Sequence, residues 1–406
     1  MNPDHALNRR EAIGIGAAGV GALAAGAVAG GDSFAAAPTA DGPLLPTRKL
    51  GRNGPMVPIL AKGGDMEPSS APGLINRAWS SGMRYYDTAQ KYGGGLEESI
   101  YRRWFAANPG RRKDIFLVSK DYPVKKGPEG LLEMIDRRLE ALGTDYLDLY
   151  FIHELCPSVY GPESVNWGKS DVFRRVAETL KASGKVKLVG FSCHGGPEYI
   201  QAAADGGFLD ALMVQYTPFY ERGGAFDRAL SACHDKGIGL IAMKTLRHAG
   251  NVPKRLPEFE KLGLTTHQAI LHAVWSDPRI SAICNSVRNF DQLRSSIAAA
   301  HGYKKPLEIS LRDRLKEVVL ASRRTMCPGC PSCDANAAAT AYAFRDVARF
   351  VTYFEQDNHG PSRELYRSLP ESARDASKAD LKSLSQACAF GIDYPDIAAR
   401  AERYFA

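Results

Sequence analysis

A chain of 406 residues, 44% hydrophobic and 24% charged, is globular and too long for one ordinary core, which excludes a disordered or fibrous chain and calls for two or three units. The net charge of +7 comes from lysines and arginines spread along the sequence. No block of like charge exists to act as a nucleic-acid arm, so the balance implies at most a mild attraction for anions.

The first segment, residues 1–37, reads as a targeting signal outside the fold. Arg9-Arg10 precede the weakly hydrophobic run "EAIGIGAAGVGALAAGAVAG", and "SFAAAPTADGP" then supplies small residues. The arrangement resembles a bacterial twin-arginine export signal and implies a periplasmic or exported protein. The rival reading is a single membrane span, but alanine and glycine bury little area per residue, which favours export. Pro38 hinders cleavage directly after Ala37, leaving a cut after Ala35 or retention as a tether, the one membrane contact expected.

Residues 45–303 alternate strand-like and helix-like segments. Strands are predicted at Ile59-Leu60, Met83–Asp87, Ile115–Ser119, Leu147–Ile152, Val186–Phe191, Ala211–Gln215, Gly239–Met243 and Ser281–Cys284. Between them lie amphipathic stretches such as "GLLEMIDRRLEALG", with Leu131, Leu132, Ile135, Leu139 and Leu142 at helical spacing. Eight strand–helix units in about 250 residues predict an α/β fold of the (β/α)8 TIM barrel type. An open doubly wound sheet would carry a glycine-rich fingerprint in its first turn, and "ILAKGGDMEP" is not one.

Four polar residues stand just after predicted strands: Asp87 and Tyr92 in "RYYDTAQKYGGG", Lys120 in "IFLVSKD" and His153 in "LDLYFIHE". Each alone has a bland reading as a cap or a satisfied polar group. Together, at the ends of the second, third and fourth barrel strands, they form a candidate active site. A phenol is too weak an acid to act unaided at neutral pH, and an ammonium beside it, here Lys120 held by Asp87, favours the phenolate. An imidazole can orient the same oxygen and stabilise a developing alkoxide. The set suits reduction of a carbonyl by hydride from a nicotinamide with Tyr92 as proton donor, or the reverse oxidation of an alcohol.

These segments resemble the aldo-keto reductase superfamily. "YYDTAQKYGGGLEE" is similar to its Asp-Thr-Ala…Tyr-Gly…Glu segment, "VSKD" to its lysine strand and "DLYFIHE" to its Asp-Leu-Tyr-X-X-His strand, across roughly residues 46 to 300. The resemblance implies Tyr92 as general acid supported by Asp87, Lys120 and His153, and NADP(H) as cofactor. It implies a small-molecule carbonyl or alcohol as substrate. Ser192 in "KVKLVGFSCHG" and Gln215 in "LMVQYTPF" match residues that hold the nicotinamide amide, with Tyr216 placed to stack on the ring. Cys193 stands where many members carry asparagine. Ser286, Arg288 and Gln292 in "AICNSVRNFDQL" match the adenosine-phosphate grip, where a cation favours NADPH.

Residues 304–406 read as a helical connector and a second, smaller unit. Cys327-X2-Cys330-X2-Cys333 has the spacing that opens a bacterial ferredoxin run, whose fourth cysteine serves another cluster. "SQACAFGIDYPDIAARAERYFA" resembles the tail of ferredoxin-like extensions found on some aldo-keto reductases, which implies one [4Fe–4S] cluster on Cys327, Cys330, Cys333 and Cys388. Zinc and disulfides are the rivals; zinc takes separated cysteine pairs, and the remaining four cysteines are scattered through the predicted barrel. The leading expectation is an exported iron–sulfur reductase. The alternative is an electron-transfer or redox-sensing protein, with a redox partner, whose barrel no longer turns over.

Overall fold

A computed structural model describes residues 42–406 apart from 195, 323, 324, 338, 339, 358 and 359. The export signal read at residues 1–37 therefore lies outside the described residues. The chain begins with an antiparallel hairpin, β1 (Thr47–Lys49) and β2 (Met56–Pro58). Arg48 ties it to the barrel by donating to the carbonyls of Trp275 at 2.6 Å and Ile280 at 2.8 Å. Leu50 and Val57 are fully buried in the cluster that fills the barrel interior.

Eight parallel strands then close on themselves: β3 (Leu60–Gly63), β4 (Tyr85–Asp87), β5 (Phe116–Asp121), β6 (Leu147–Leu155), β7 (Val186–Cys193), β8 (Ala211–Gln215), β9 (Gly239–Met243) and β10 (Ile280–Ser286), with β10 paired back on β3. The (β/α)8 barrel expected from the repeat is the observed fold. Its strands are buried on both faces, which is why they read as continuous apolar runs. One alternation, through Tyr85, Val118, Phe151, Met213 and Ile241, fills the interior. The other, through Leu60, Tyr86, Leu117 and Ile152, packs under the surrounding helices.

Those helices are α1 (Ala71–Ser80), α2 (Glu97–Ala107), α3 (Gly130–Leu142), α4 (Asp171–Ala182), α5 (Pro197–Gly206), α6 (Ala225–Asp235), α7 (Thr266–Trp275) and α8 (Phe290–Gly302). On α3 the buried stripe is Leu131, Ile135, Leu139 and Leu142; Leu132, read onto the same face, is exposed. Helix α7 starts at a capping box in which Thr265 and Gln268 each satisfy the other's backbone N–H.

The rest is helical, as expected: α9 (Ile309–Ala321), α10 (Phe344–Asp357), α11 (Pro361–Ser368), α12 (Leu381–Gln386) and α13 (Tyr394–Phe405). Val347, Val351, Leu384, Ile397 and Phe405 form a core of their own. A further cluster joins this part to the barrel, with Phe390 packed beside Phe219, Phe259, Ile270, Leu315 and Val319. Among the described residues no helix is long and apolar enough to cross a membrane.

Candidate active site at the strand ends

Period two carries the barrel interior into the site. Two residues beyond the interior positions Tyr85, Val118, Phe151 and Met213 come Asp87, Lys120, His153 and Gln215, all emerging at the same end of the barrel. Lys120 is fully buried and donates to Asp87 Oδ1 at 2.6 Å and to the Thr88 carbonyl at 2.9 Å. Its Nζ also lies 3.3 Å from the Tyr92 hydroxyl. His153 Nε2 is 3.5 Å from that same hydroxyl. Two of the four residues expected at the site, Lys120 and His153, thus meet on the hydroxyl of the third, Tyr92, and the fourth, Asp87, holds Lys120.

Tyr92 follows β4 in a turn, and its ring rests on Gly64. A Cβ at Gly64 would stand 2.4 Å from the Tyr92 ring and 2.6 Å from Glu97 Oε1, so only glycine fits there. Burial, then the neighbouring Asp87 carboxylate, pushes the Tyr92 phenol well above its ordinary range. This departs from the lowering expected of Lys120, because burial penalises the phenolate and the Asp87 carboxylate adds to that penalty. The phenol is held as a protonated donor. Burial, followed among the lowering causes by the Lys120, Lys91 and Lys244 charges, drives His153 well below its usual value, so it is neutral. Its Nδ1 is buried without a hydrogen-bond partner in the structure, which leaves Nε2 to meet an oxygen.

Strand β6 carries a bulge here. Ile152 pairs with Phe191 but Leu155 with Cys193, so three steps on β6 oppose two on β7. Glu154, at the slip, has φ of +55°. Its backbone N–H donates to Ser192 Oγ at 2.9 Å, its Oε2 accepts from the Tyr122 hydroxyl at 2.8 Å, and its Oε1 lies 3.3 Å from Arg349 and 3.4 Å from His194 Nδ1. Asp65 after β3 and Lys244 after β9 also have positive φ, at +61° and +60°. Among the described residues these three non-glycine positions of positive φ lie at or just after strand ends around one mouth, where backbone strain is commonly functional.

The expected cofactor residues divide. Ser192 and Gln215 are buried at the strand ends, and the Gln215 amide donates to the His194 carbonyl at 3.4 Å. Tyr216 has the opposite parity. It sits in the layer between barrel and helices with its hydroxyl on Asp277 at 2.8 Å, so it offers no free face on which a ring could stack. Ser286 is exposed at the end of β10, and Gln292 is spent on the Arg288 backbone N–H at 2.8 Å, which shapes the turn into α8.

Sequence reasoning missed several charged groups near this site. Lys62 is fully buried, its pKa pulled down to about 8 by burial, and Glu97 is pushed up to about 7 by burial. Glu97 was visible inside the quoted "GGGLEE" and Glu154 directly after His153. Arg349 and Tyr353 carried no signal, because they belong to α10, far along the chain. Arg349 meets Glu154 and His194, Tyr353 accepts from Lys244, and Gln356 pairs with Arg247, so α10 lies across the ends of β6, β7 and β9. A cavity of about 530 Å³ opens beside that crossing, lined by Gly250, Asn251, Gln356, Arg400 and Arg403, not over Tyr92.

The cysteines of the tail are gathered at the seam of two cores. Cys327 and Cys333 are buried in the tail's own core, while Cys330 and Cys388 border the cluster shared with the barrel. None of the eight cysteines is in a disulfide. Burial raises Cys327 to about 12 and also raises Cys333, while the Arg345 guanidinium pulls both back toward the thiolate. The Ile392 N–H lies 3.5 Å from Cys388 Sγ, and the Tyr220 hydroxyl donates to the Pro328 carbonyl at 2.6 Å. Among the described residues no three His, Cys, Asp or Glu side chains stand close enough to hold a single metal ion.

The model of the aldo/keto reductase family matches residues 59–322, which ends before the first tail cysteine. The uncharacterized oxidoreductase YrpG of Bacillus subtilis is 27% identical over 312 residues, spanning 64% of this chain and 91% of its own length. The aldo-keto reductase yakc [NADP(+)] of Schizosaccharomyces pombe is 25% identical over 224 residues, spanning 50% of this chain and 61% of its own. Among solved structures, aldo-keto reductase AKR11C1 from Bacillus halodurans superposes with a TM-score of 0.53 at 20% identity, over 68% of this chain and 96% of that one, a likeness of fold.

Proposed function

The chain belongs to the aldo/keto reductase family, and from that premise we propose that it is an NADP(H)-dependent oxidoreductase interconverting a small carbonyl compound and its alcohol, with Tyr92 as the proton-transferring residue. The observation that carries this reading is the meeting of Lys120 Nζ and His153 Nε2 on one phenol oxygen, at 3.3 and 3.5 Å. When bound, a nicotinamide supplies or accepts the hydride. The chain's own part is to hold and move the proton. Neutral His153 donates from Nε2 to the substrate oxygen and fixes its direction. Tyr92 gives up its proton as that oxygen gains charge, and Lys120, 3.3 Å away, stabilises the phenolate left behind. Asp87 keeps the lysine aimed. Ser192 and Gln215 stand where they can hold the carboxamide, and Ser286 and Arg288 stand at the rim for the phosphate end.

Helix α10 crosses the mouth between Gln215 and Ser286, with Tyr353 on Lys244 and Gln356 on Arg247, so these side chains would have to give way to a bound dinucleotide. The same crossing supports the second reading, a barrel whose covered mouth takes no nicotinamide and whose role is electron transfer or redox sensing.

The tail is read as holding one [4Fe–4S] cluster on Cys327, Cys330, Cys333 and Cys388. Its support is the donor set: four free thiols at one seam, Arg345 opposing their charge, and a backbone N–H aimed at Cys388. The twin arginine at Arg9-Arg10 supports export to the periplasm.

The test is NADPH binding and carbonyl reduction by the full chain and by Tyr92→Phe. The reading expects binding by both and loss of about a hundredfold or more of the rate in the variant. Turnover that survives the substitution, or a folded protein that binds no nicotinamide, overturns it.

A further inference from the structure

Glu154 occupies the one bulge beside the candidate catalytic histidine, and its partners come from four directions. Tyr122, whose ring packs against that of His153 with centroids 4.5 Å apart, donates to Glu154 Oε2. Ser192, the expected amide ligand on β7, takes the Glu154 backbone N–H. His194 and Arg349 meet Oε1. Arg349 alone comes from outside the barrel. Its side chain is 8% exposed and is anchored at its other end by Asp346 at 2.7 Å.

We propose that Arg349 is a positioning residue for the barrel's chemistry: helix α10 of the tail holds Glu154 in its bulge, and through Glu154 sets Tyr122 against His153 and Ser192 toward the cofactor's carboxamide. The proposal rests on the reductase reading for what His153 does, but not for how it is held. The tail is then a component of the active site and not an appendage. Burial alone would raise the Glu154 carboxyl, yet His194 and Arg349 hold it well below the usual range. Of these two the guanidinium is the lasting charge, because burial drives His194 neutral.

The electrostatic consequence has a definite sign. The groups facing His153 are Glu154 on β6, Lys120 on β5, Lys91 after β4, His194 after β7, Lys244 after β9, and the rings of Tyr92 and Tyr122. Glu154 is the one of these that raises His153, and Arg349 opposes its charge. While Glu154 stays ionised, held by the Tyr122 hydroxyl on Oε2, removing Arg349 leaves that carboxylate less compensated and His153 titrates at higher pH.

The experiment uses the full chain as Arg349→Gln, Arg349→Lys, Glu154→Gln and the double variant, with His153 followed by NMR of its ring nitrogens and turnover measured against pH. In Arg349→Gln the His153 titration and the acidic limb of kcat are expected to rise by about one pH unit. kcat should fall about tenfold and the KM for NADPH should rise severalfold, because Ser192 is released together with Glu154. Arg349→Lys should restore much of both, and the double variant should lose the upward shift because Glu154 supplies it. A rise that persists in the double variant, or no rise in a folded Arg349→Gln protein, overturns the proposal. If no carbonyl is reduced by any form the reductase reading fails, while the imidazole titration still decides whether Arg349 acts through Glu154.

Discussion

The barrel mouth and the cysteine seam assemble their polar groups by different physics. At the mouth, strand register delivers each side chain: the alternation that buries Tyr85, Val118 and Phe151 inside the barrel necessarily turns Asp87, Lys120 and His153 into the same end of it. The groups meet at hydrogen-bond distance because a closed sheet leaves them nowhere else to go. At the seam, three cysteines come from a loop and short turn and the fourth from beyond α12, and no three acidic, histidine or cysteine side chains among the described residues converge on a single ion. A rigid scaffold can preorganise a site without its ligand. On the cluster reading, a site made from loops waits for its ligand, whose bonds supply the folding energy that the loops lack.

The largest effect expected from breaking this contrast is at Lys120. Lys120→Met strands Asp87 in the barrel as a buried charge without its partner, which costs about 3–5 kcal/mol. It should also lower carbonyl reduction at least a hundredfold. The double variant Asp87→Asn/Lys120→Met should recover most of the melting temperature and none of the rate. Recovery of both would mean that the pair only holds the fold. Next in size is Cys388→Ser. On the cluster reading it removes the ligand farthest along the chain, so visible absorbance that bleaches with dithionite should be lost. The tail should then melt in a separate, earlier transition while the far-ultraviolet signal of the barrel persists. Iron removal by a chelator should produce the same two-step melt. A single unchanged transition after either treatment would make the seam as preorganised as the mouth.

That contrast also explains what could be read from the chain. The eight strands and the convergence of Asp87, Tyr92, Lys120 and His153 were legible because register is a local property of each strand, repeated eight times. Tyr216 was misplaced by one step of the same alternation: Gln215 points inward, so its neighbour points to the helices and to Asp277. The bulge at Glu154 breaks the alternation that makes strands readable, and the sequence "FIHEL" gives no sign of it. Arg349 was illegible for a different reason. It comes from α10, and only the packing of the tail on the barrel brings it to Glu154. The approach of Lys120 to Tyr92 is legible from strand register, whereas the rise of the phenol is not, since the sequence cannot weigh burial against one ammonium.

The smallest effect tests whether the preorganised mouth carries an electrostatic cost. Glu97 is buried behind Tyr92, accepts the Met66 N–H at 2.9 Å through Oε2, and leaves Oε1 without a partner in the structure. Its folded value of about 7 exceeds the ordinary carboxyl value, so its contribution to stability is complete below about pH 4.3 and is lost as pH rises through about 7. Glu97→Gln removes that loss. Relative to the parent protein its melting temperature should climb between about pH 4.3 and 7 and then level off, a gain on the order of 3 kcal/mol. Lys62 moderates the effect, since its charge lowers Glu97. Lys62→Met should therefore carry the Glu97 transition to still higher pH and widen the window. A flat difference between Glu97→Gln and the parent across this range would mean that the carboxyl titrates normally, and that the mouth is built without stored charge.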